Sequence, residues 1–159
     1  MNYIITKTPD FFTKIGNYNF CNLEDMELPD TISIDTETTE LKPILGDIFA
    51  IQIGTGVNNY LIHCYDNNIM PKEVFDLLKD KTLIGHNITF DLGFFYKHGF
   101  YPNKVKDTFI ASKILYNGKV EYRHDFGTVF ERELGIIYDK SEQKNIAKIK
   151  LSTTKAIEY

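Results

Sequence analysis

Two carboxylates stand two residues apart in the segment ISIDTETTEL, residues 32–41. Ile32 and Ile34 alternate with polar residues, which is the period of a β-strand, so Asp35 and Glu37 would project from the same face. Two neighbouring carboxylates repel each other unless a cation lies between them. A short DxE motif is often only a pair of surface acids. Here it follows an apolar strand directly and lies among threonines, which favours a metal site.

A second acid, Asp91, lies within the aromatic segment GHNITFDLGFF, residues 85–95. The preceding Asn87 is predicted to cap a helix that Gly99 would end. An acid on a helix rich in apolar side chains either faces solvent or is turned inward for a purpose. Position alone leaves both alternatives open. A third acid, Asp107, is predicted to be the N-cap of the following helix.

The elements that must position these acids follow from periodicity and turn chemistry. The strand that carries the first two acids is followed by strands over 48–54 and 60–64, and the intervening turns predict a three-stranded antiparallel meander. On a helix that begins at Pro71, Val74, Leu77 and Leu78 are predicted to share the buried face. The remaining predicted strands cover 2–6, 82–85 and 105–108. A helical turn is predicted over 9–15, and helices over 88–99, 109–116 and 125–134. A loop over 139–150 and a last helix from Leu151, with Ser152 as its N-cap, complete the predictions. This order predicts an α/β fold, a mixed central sheet with helices on both sides.

Composition places the chain among ordinary globular proteins. Its 159 residues suffice for one domain with a sizeable core, and 43% are hydrophobic. Because no apolar run approaches the length of a membrane span and no signal peptide is evident, we expect no membrane partner and a cytoplasmic location, which for a viral protein means the host cytoplasm. Cys21 and Cys64 lack metal-site spacing, so they are interpreted as reduced thiols rather than zinc ligands.

Charge is distributed unevenly along the chain. Residues 1–96 carry 6 basic and 14 acidic side chains, whereas residues 97–159 carry 12 basic and 8 acidic ones. An acidic half beside a basic half suits a protein that holds divalent cations in one place and a polyanion backbone in another. The alternative is that the lysines only solvate the C-terminal helices.

An ordered set of motifs resembles a known family. DTE in a strand is followed by NxxFD opening a helix, then DT, RHDFGTVFERELGI, DKSEQ and LSxxxxxEY, from Ile32 to Tyr159. This order is similar to that of the DEDD (DnaQ-like) 3′–5′ exonucleases of the tyrosine branch. The resemblance is greatest to the proofreading domains of family A DNA polymerases and to ribonuclease D. It implies an RNase H-like fold and removal of nucleotides from the 3′ end of single-stranded DNA. It also implies two divalent ions, Mg²⁺ or Mn²⁺, that activate a water and stabilise the leaving oxygen.

The resemblance also implies roles for individual residues. By position, Asp35, Glu37 and Asp91 match the metal ligands of the family, and Tyr159 matches the tyrosine that orients the attacking water. Leu41, six residues after the first ligand, matches the apolar wedge between the last bases of the substrate. All three acids offer the hard oxygen ligands that Mg²⁺ prefers.

Further residues are candidates for contacting the substrate. Phe90 lies where the family places an aromatic ring beside the 3′-terminal nucleotide, and such rings hold single-stranded bases without reading sequence. His86 and Asn87 are candidates for positioning either the substrate phosphate or the start of the helix. The remaining candidates are Thr38, Arg123 and the lysines of residues 140–150.

The third motif departs from the family pattern YxxxD, because Tyr159 is the last residue and no fourth carboxylate follows it. We expect one exonuclease domain over 1–159 that ends just before that aspartate. It is either a fragment of a longer polypeptide, with a polymerase region in cis or in trans, or a short product with impaired activity. We expect this chain alone to be weak or inactive in cleavage, and an Asp added four residues after Tyr159 to restore cleavage. The alternatives are an RNA-trimming enzyme, a domain that only binds nucleic acid or a partner, and a plain α/β scaffold.

Overall fold

The computed structural model describes residues 1–7, 19–64 and 69–137. The chain divides into two compact units, Met1–Ala111 and Ser112–Tyr159, and each is described by itself. The predicted turn over 9–15, the loop over 139–150, the last helix and Tyr159 lie outside the described residues. The single domain over 1–159 stays a prediction.

The first unit is built on a seven-stranded mixed sheet, which confirms the predicted α/β class. Its strand order is β2-β1-β5-β4-β3-β6-β7. The strands are β1 (Asn2–Ile5), β2 (Asn19–Phe20), β3 (Thr31–Thr38), β4 (Ile48–Gly54), β5 (Asn59–His63), β6 (Thr82–Gly85) and β7 (Lys104–Asp107).

The predicted meander is present. β4 pairs antiparallel with both β3 and β5. The register places Asp35 opposite Gln52 and Glu37 opposite Ala50, and it shifts between Glu37 and Thr38. The alternating isoleucines of β3 and β4 are buried, so the strand period assigns the two acids to the opposite face.

The rest of the sheet is parallel. β6 pairs parallel with β3, and β7 pairs parallel with β6. The carboxyl ends of these three strands therefore lie at one edge of the sheet, where α/β proteins commonly place their sites. On the other side of the meander β1 pairs parallel with β5 and β2, an arrangement that was not predicted.

Four helices complete the description: α1 (Pro71–Leu78), α2 (Thr89–Lys97), α3 (Thr108–Leu115) and α4 (Phe126–Leu134), with a single 3-10 turn at Leu23–Asp25. No helix within the described ranges is long and apolar enough to cross a membrane.

The buried face of α1 differs from the prediction in one residue. Val74 and Leu78 are fully buried as predicted, but Leu77 is 40% exposed and Phe75 is buried in its place. The reason is aromatic packing: the Phe75 ring stacks on Phe100 with centroids 4.7 Å apart. This contact turns the buried stripe of the helix toward Phe75.

In the second unit, α4 ends at Leu134 as predicted but begins one residue later than predicted, at Phe126. The Asp125 carboxylate caps the helix by accepting bonds from the Thr128 amide (3.3 Å) and hydroxyl (2.9 Å). Gly135 ends the helix in the left-handed region with φ of 66°. The last residues of α3 also belong to this unit. There the Arg132 guanidinium lies over the Tyr116 ring, 4.2 Å from its centroid.

Candidate active site

The site begins with β3, which carries Asp35 and Glu37 on one face. Asp35 is open to solvent along part of its surface, yet the protein around its carboxyl is enough to raise its pKa, which a bond from the Thr36 amide only partly offsets. Glu37 is half-buried and accepts a bond from Gln52 Nε2 at 3.4 Å. The intervening Thr36 points to the other face and is buried.

Asp91 lies in the first turn of α2 and is turned inward, with 3% of its surface exposed. Its Oδ1 accepts bonds from the Thr36 amide (3.0 Å) and the Thr36 hydroxyl (2.5 Å). Burial raises the pKa of Asp91 to about 6. The Thr36 hydroxyl opposes this rise, and the negative charge of Asp35 adds to it. Of the two alternatives that the sequence left open, the structure shows that Asp91 is turned inward and does not face solvent.

These contacts bring Asp35 and Asp91 close enough for their charges to interact. Within the described ranges no ion pair joins either carboxylate to a lysine or arginine. The buried Asp91 carboxylate and the partly exposed Asp35 carboxylate both have a raised pKa. They are oxygen donors that suit a hard divalent cation, which would relieve their repulsion. By the chemistry of their oxygen donors, Asp35 and Asp91 fit a Mg²⁺ or Mn²⁺ ion. The described residues include no group of three or more acids, histidines or cysteines arranged to hold a metal ion.

The turn between β6 and α2 differs from the prediction at Asn87. This residue does not cap the helix: the N-cap is Ile88, which has no side-chain cap bond. Asn87 instead has φ of 61°, in the left-handed region that Asn tolerates better than most residues. Its amide donates to Asp107 Oδ1 at 2.9 Å. The chain therefore enters α2 through a tight turn that is tied to the end of β7.

Asp107 is confirmed as the cap of α3. The same Oδ1 accepts bonds from the Phe109 amide (2.8 Å) and the Ile110 amide (3.4 Å). One carboxylate oxygen thus satisfies amides at the start of α3 and in the turn before α2. The bond from the turn before α2 could not be inferred from a capping pattern, because it depends on β6 and β7 ending side by side.

His86 is held by Thr108. Its Nδ1 lies 2.9 Å from Thr108 Oγ1, and that hydroxyl donates to the Gly85 carbonyl at 3.1 Å. Because the hydroxyl has only one hydrogen to donate, His86 Nδ1 must be the protonated nitrogen of the pair. The imidazole is therefore oriented by the ends of β6 and β7.

Three of the predicted substrate-contacting residues, Leu41, Phe90 and Thr38, differ in how far they are exposed to solvent. Leu41 is 81% exposed. Phe90 is half-buried, and its ring lies against Phe94 with centroids 5.3 Å apart. Thr38 is buried and its hydroxyl donates to the Glu40 carbonyl at 2.9 Å. Substrate contacts by these residues stay predictions.

The two remaining predicted residues belong to the second unit. Arg123 lies in the second unit, where its Nε is 3.1 Å from Asp125 Oδ2. Tyr159 lies outside the described residues.

Thr36 is the site residue that the sequence analysis missed. It stands between the two acids and continues the buried face of Ile32 and Ile34. A buried hydroxyl needs a hydrogen-bond partner. A threonine in register with buried isoleucines was therefore a usable signal that a polar group approaches that face.

Comparison with known proteins gives a family match for the chain. A family model described as 3′–5′ exonuclease matches residues 11–159. The chain is 37% identical over 113 residues to DNA polymerase I of Aquifex aeolicus, a match that covers 69% of this chain and 17% of the polymerase.

Solved structures with the same fold include Brucella melitensis NrnC and Escherichia coli RNase D. NrnC with bound Mg²⁺ is 27% identical, with a TM-score of 0.61, and NrnC bound to pGG is 26% identical, with a TM-score of 0.63. These matches cover 88% of this chain and 64% and 63% of NrnC. RNase D has a TM-score of 0.62 at 24% identity, over 90% of this chain and 36% of RNase D. This likeness supports the predicted RNase H-like fold, and the chain spans less than two thirds of each of these proteins.

Proposed function

Because this chain belongs to the 3′–5′ exonuclease family, we propose that it hydrolyses phosphodiester bonds from the 3′ end of single-stranded DNA with the help of two divalent metal ions. The observation that carries the proposal is the buried Asp91, fixed by two bonds from Thr36, the residue that follows Asp35 on β3. A domain that only binds has no physical need for a buried carboxylate held against the strand that carries two further acids, since burying a charge and placing it near other negative charges both cost stability.

In this proposal Asp35, Glu37 and Asp91 hold Mg²⁺ or Mn²⁺. When bound, such ions supply a nucleophilic water and neutralise charge on the leaving oxygen. Thr36 keeps Asp91 oriented and favours its ionised form, which is the form that binds a cation. Tyr159 orients the water.

The proposed substrate contacts use residues around these acids. Leu41 separates the terminal bases and Phe90 lies beside the 3′ nucleotide, because apolar and aromatic surfaces hold unpaired bases without sequence preference. His86 and Asn87 position the phosphate or the turn, while Thr38 and Arg123 add backbone contacts.

DNA is favoured over RNA by the identity with DNA polymerase I. A polymerase region, in the same polypeptide or a separate one, is the corresponding partner, and the cytoplasm is the proposed location. RNA trimming is the second candidate, which the ribonuclease D-like DKSEQ stretch at residues 139–143 favours.

The test is cleavage of 5′-labelled single-stranded DNA and RNA oligonucleotides by the chain in Mg²⁺, in Mn²⁺ and in EDTA. We expect a metal-dependent ladder that shortens from the 3′ end, faster on DNA. Asp35→Ala and Asp91→Asn should abolish it, whereas Asp76→Asn, which alters an exposed ion pair with Lys72 on α1, should not. A ladder that persists in Asp35→Ala would contradict the proposed site, and faster cleavage of RNA would favour the second candidate.

A further inference from the structure

The loop between β3 and β4, residues 39–47, is closed at its base and held by hydrogen bonds between its own residues. At its base the Thr39 amide donates to the Asp47 carbonyl, and the Asp47 amide donates to the Thr39 hydroxyl, both at 2.9 Å. At its far end the amides of Leu45 and Gly46 donate to the Lys42 carbonyl at 2.9 and 3.0 Å. These bonds make the loop a rigid platform rather than a slack connection.

Three side chains fasten this loop to α2, the helix that carries Asp91. Asp47 Oδ1 lies 2.6 Å from His98 Nε2, and Asp47 Oδ2 lies 3.3 Å from Lys97 Nζ. The Lys97 ammonium also donates to the Gly46 carbonyl at 2.5 Å. We refer to Asp47, Lys97 and His98 as the Asp47 latch.

Close packing supports the latch along the middle of the loop. A Cβ atom added to Gly93 of α2 would lie 2.9 Å from Pro43 Cγ. Only a residue without a side chain allows the loop to approach the helix so closely. The loop thus contacts α2 both near Asp91 and at the end of the helix.

The loop presents a hydrophobic tip to solvent, formed by Leu41, Ile44 and Leu45. Their exposed fractions are 81%, 88% and 70%. Single exposed apolar residues are ordinary, but three within five residues on a rigid loop form a contiguous candidate for an interaction surface. A surface that is already ordered loses little conformational entropy when it binds.

The chemistry of the loop favours nucleobases as the partner. The loop follows directly from β3, which carries Asp35 and Glu37, so the tip is joined to the two acids by a short stretch of chain. Residues 39–47 include two acids and one lysine, so the loop does not attract phosphates, whereas apolar side chains pack well on base faces.

We propose that Asp47 is a positioning residue: through the latch it holds Ile44 and Leu45 against nucleobases behind the 3′ terminus of the bound strand. The inference rests on the proposed function and extends it beyond Leu41. It extends the base contacts from the terminal nucleotide to the bases behind it, whether the strand is DNA or RNA.

The test is the affinity for 5′-fluorescein-labelled DNA and RNA strands of about eight nucleotides, measured by anisotropy in Ca²⁺. Each strand is compared with one that has abasic sites at its last few positions. Wild type should bind the natural strand about tenfold more tightly than the abasic strand. In Ile44→Ser, Leu45→Ser and Asp47→Ala this preference should fall to about twofold, with unchanged affinity for the abasic strand. A merely structural role would not alter the preference selectively.

Matched controls are Val57→Ser, which alters an exposed apolar residue in another turn, and Asp76→Asn. His98→Gln is a second latch variant in case Asp47→Ala does not fold. If the tip variants lose the preference and both folded latch variants keep it, the positioning role is wrong. Equal binding of natural and abasic strands by wild type overturns the inference, together with the base contacts proposed for Leu41 and Phe90, but leaves the proposed hydrolysis at Asp35 and Asp91 intact. No binding of any strand by the folded chain contradicts the proposed function, and the inference falls with it.

Discussion

Asp91 on α2 accepts two hydrogen bonds from Thr36 on β3, one from the backbone amide at 3.0 Å and one from the side-chain hydroxyl at 2.5 Å. Thr36 stands between Asp35 and Glu37, so one residue links the helix carboxylate to the strand that carries the other two acids. Charge-assisted bonds of this kind are stronger than neutral ones. The relative position of Asp35 and Asp91 therefore depends on Thr36.

Thr36→Val should test this link, because it removes the hydroxyl with almost no change in volume. We expect the free energy of unfolding to fall by about 1.5–3 kcal/mol, since a buried carboxylate loses one of its donors. Urea denaturation at neutral pH in EDTA measures this. Thr31→Val, at an exposed position of the same strand, is the control and should change stability little. An equal loss in both variants would mean that the effect comes from β-propensity or from burial, not from Asp91.

The raised pKa of Asp91 predicts that the metal-free chain becomes less stable as pH rises. Its folded-state pKa is about 6 and its ordinary value is 3.8. The folded state therefore holds the proton more tightly, and the stability that protonation contributes is present below the ordinary pKa and lost as pH rises through about 6. The difference corresponds to a loss on the order of 2–3 kcal/mol.

Asp91→Asn should remove this pH dependence. It keeps a carbonyl oxygen to accept from Thr36 but has no charge to bury, so the variant should be more stable than wild type at about pH 8 in EDTA. Unfolding free energies measured in urea between about pH 5 and pH 8 decide the matter. A slope that is the same in wild type and variant would show that Asp91 does not titrate in this range.

Divalent cations should reverse the instability of the metal-free site. A cation that binds only the folded chain stabilises it by about 2.7 kcal/mol at a hundred times its dissociation constant. We expect Mn²⁺ or Mg²⁺ to raise the melting temperature of wild type, and to have little effect on Asp35→Ala or Asp91→Asn. Differential scanning fluorimetry across a metal titration provides the measurement. Asp76→Asn should respond as wild type does, and a similar response from all four proteins would place the bound metal elsewhere.

The sequence predicted the elements whose signals are local. Alternating isoleucines and the Gly-rich turn after β4 were sufficient for the meander, because strand period and turn chemistry act over a few residues. The face of Asp35 and Glu37 followed from the same period. Asp107 was also predictable, since an acid at a helix start satisfies amides that immediately follow it.

Features that depend on contacts between distant segments were not predictable. Asp91 points inward only because α2 approaches β3 beyond the end of β6, and no pattern within α2 reveals this. The exposure of Leu77 depends on Phe75 packing against Phe100, a residue in another segment. Parallel pairing of β1 with β5 joins residues far apart in the chain, for which turn chemistry provides no signal.

Asn87 offers a direct comparison between the predicted and observed conformations. As an N-cap, Asn is almost equivalent to Ser, so Asn87→Ser would cost nothing if the prediction had been right. In the observed left-handed conformation, with φ of 61°, Ser should cost about 1 kcal/mol, because its Cβ is crowded there and Asn is better tolerated. Asn87→Gly should be within about 0.5 kcal/mol of wild type, since Gly adopts this conformation freely. Urea denaturation of the three proteins measures both differences. A Ser variant as stable as wild type would argue that Asn87 caps α2 in solution. Both Asn87→Ser and Asn87→Gly keep the backbone amide that donates to Asp107, so the comparison between the two variants isolates the backbone conformation.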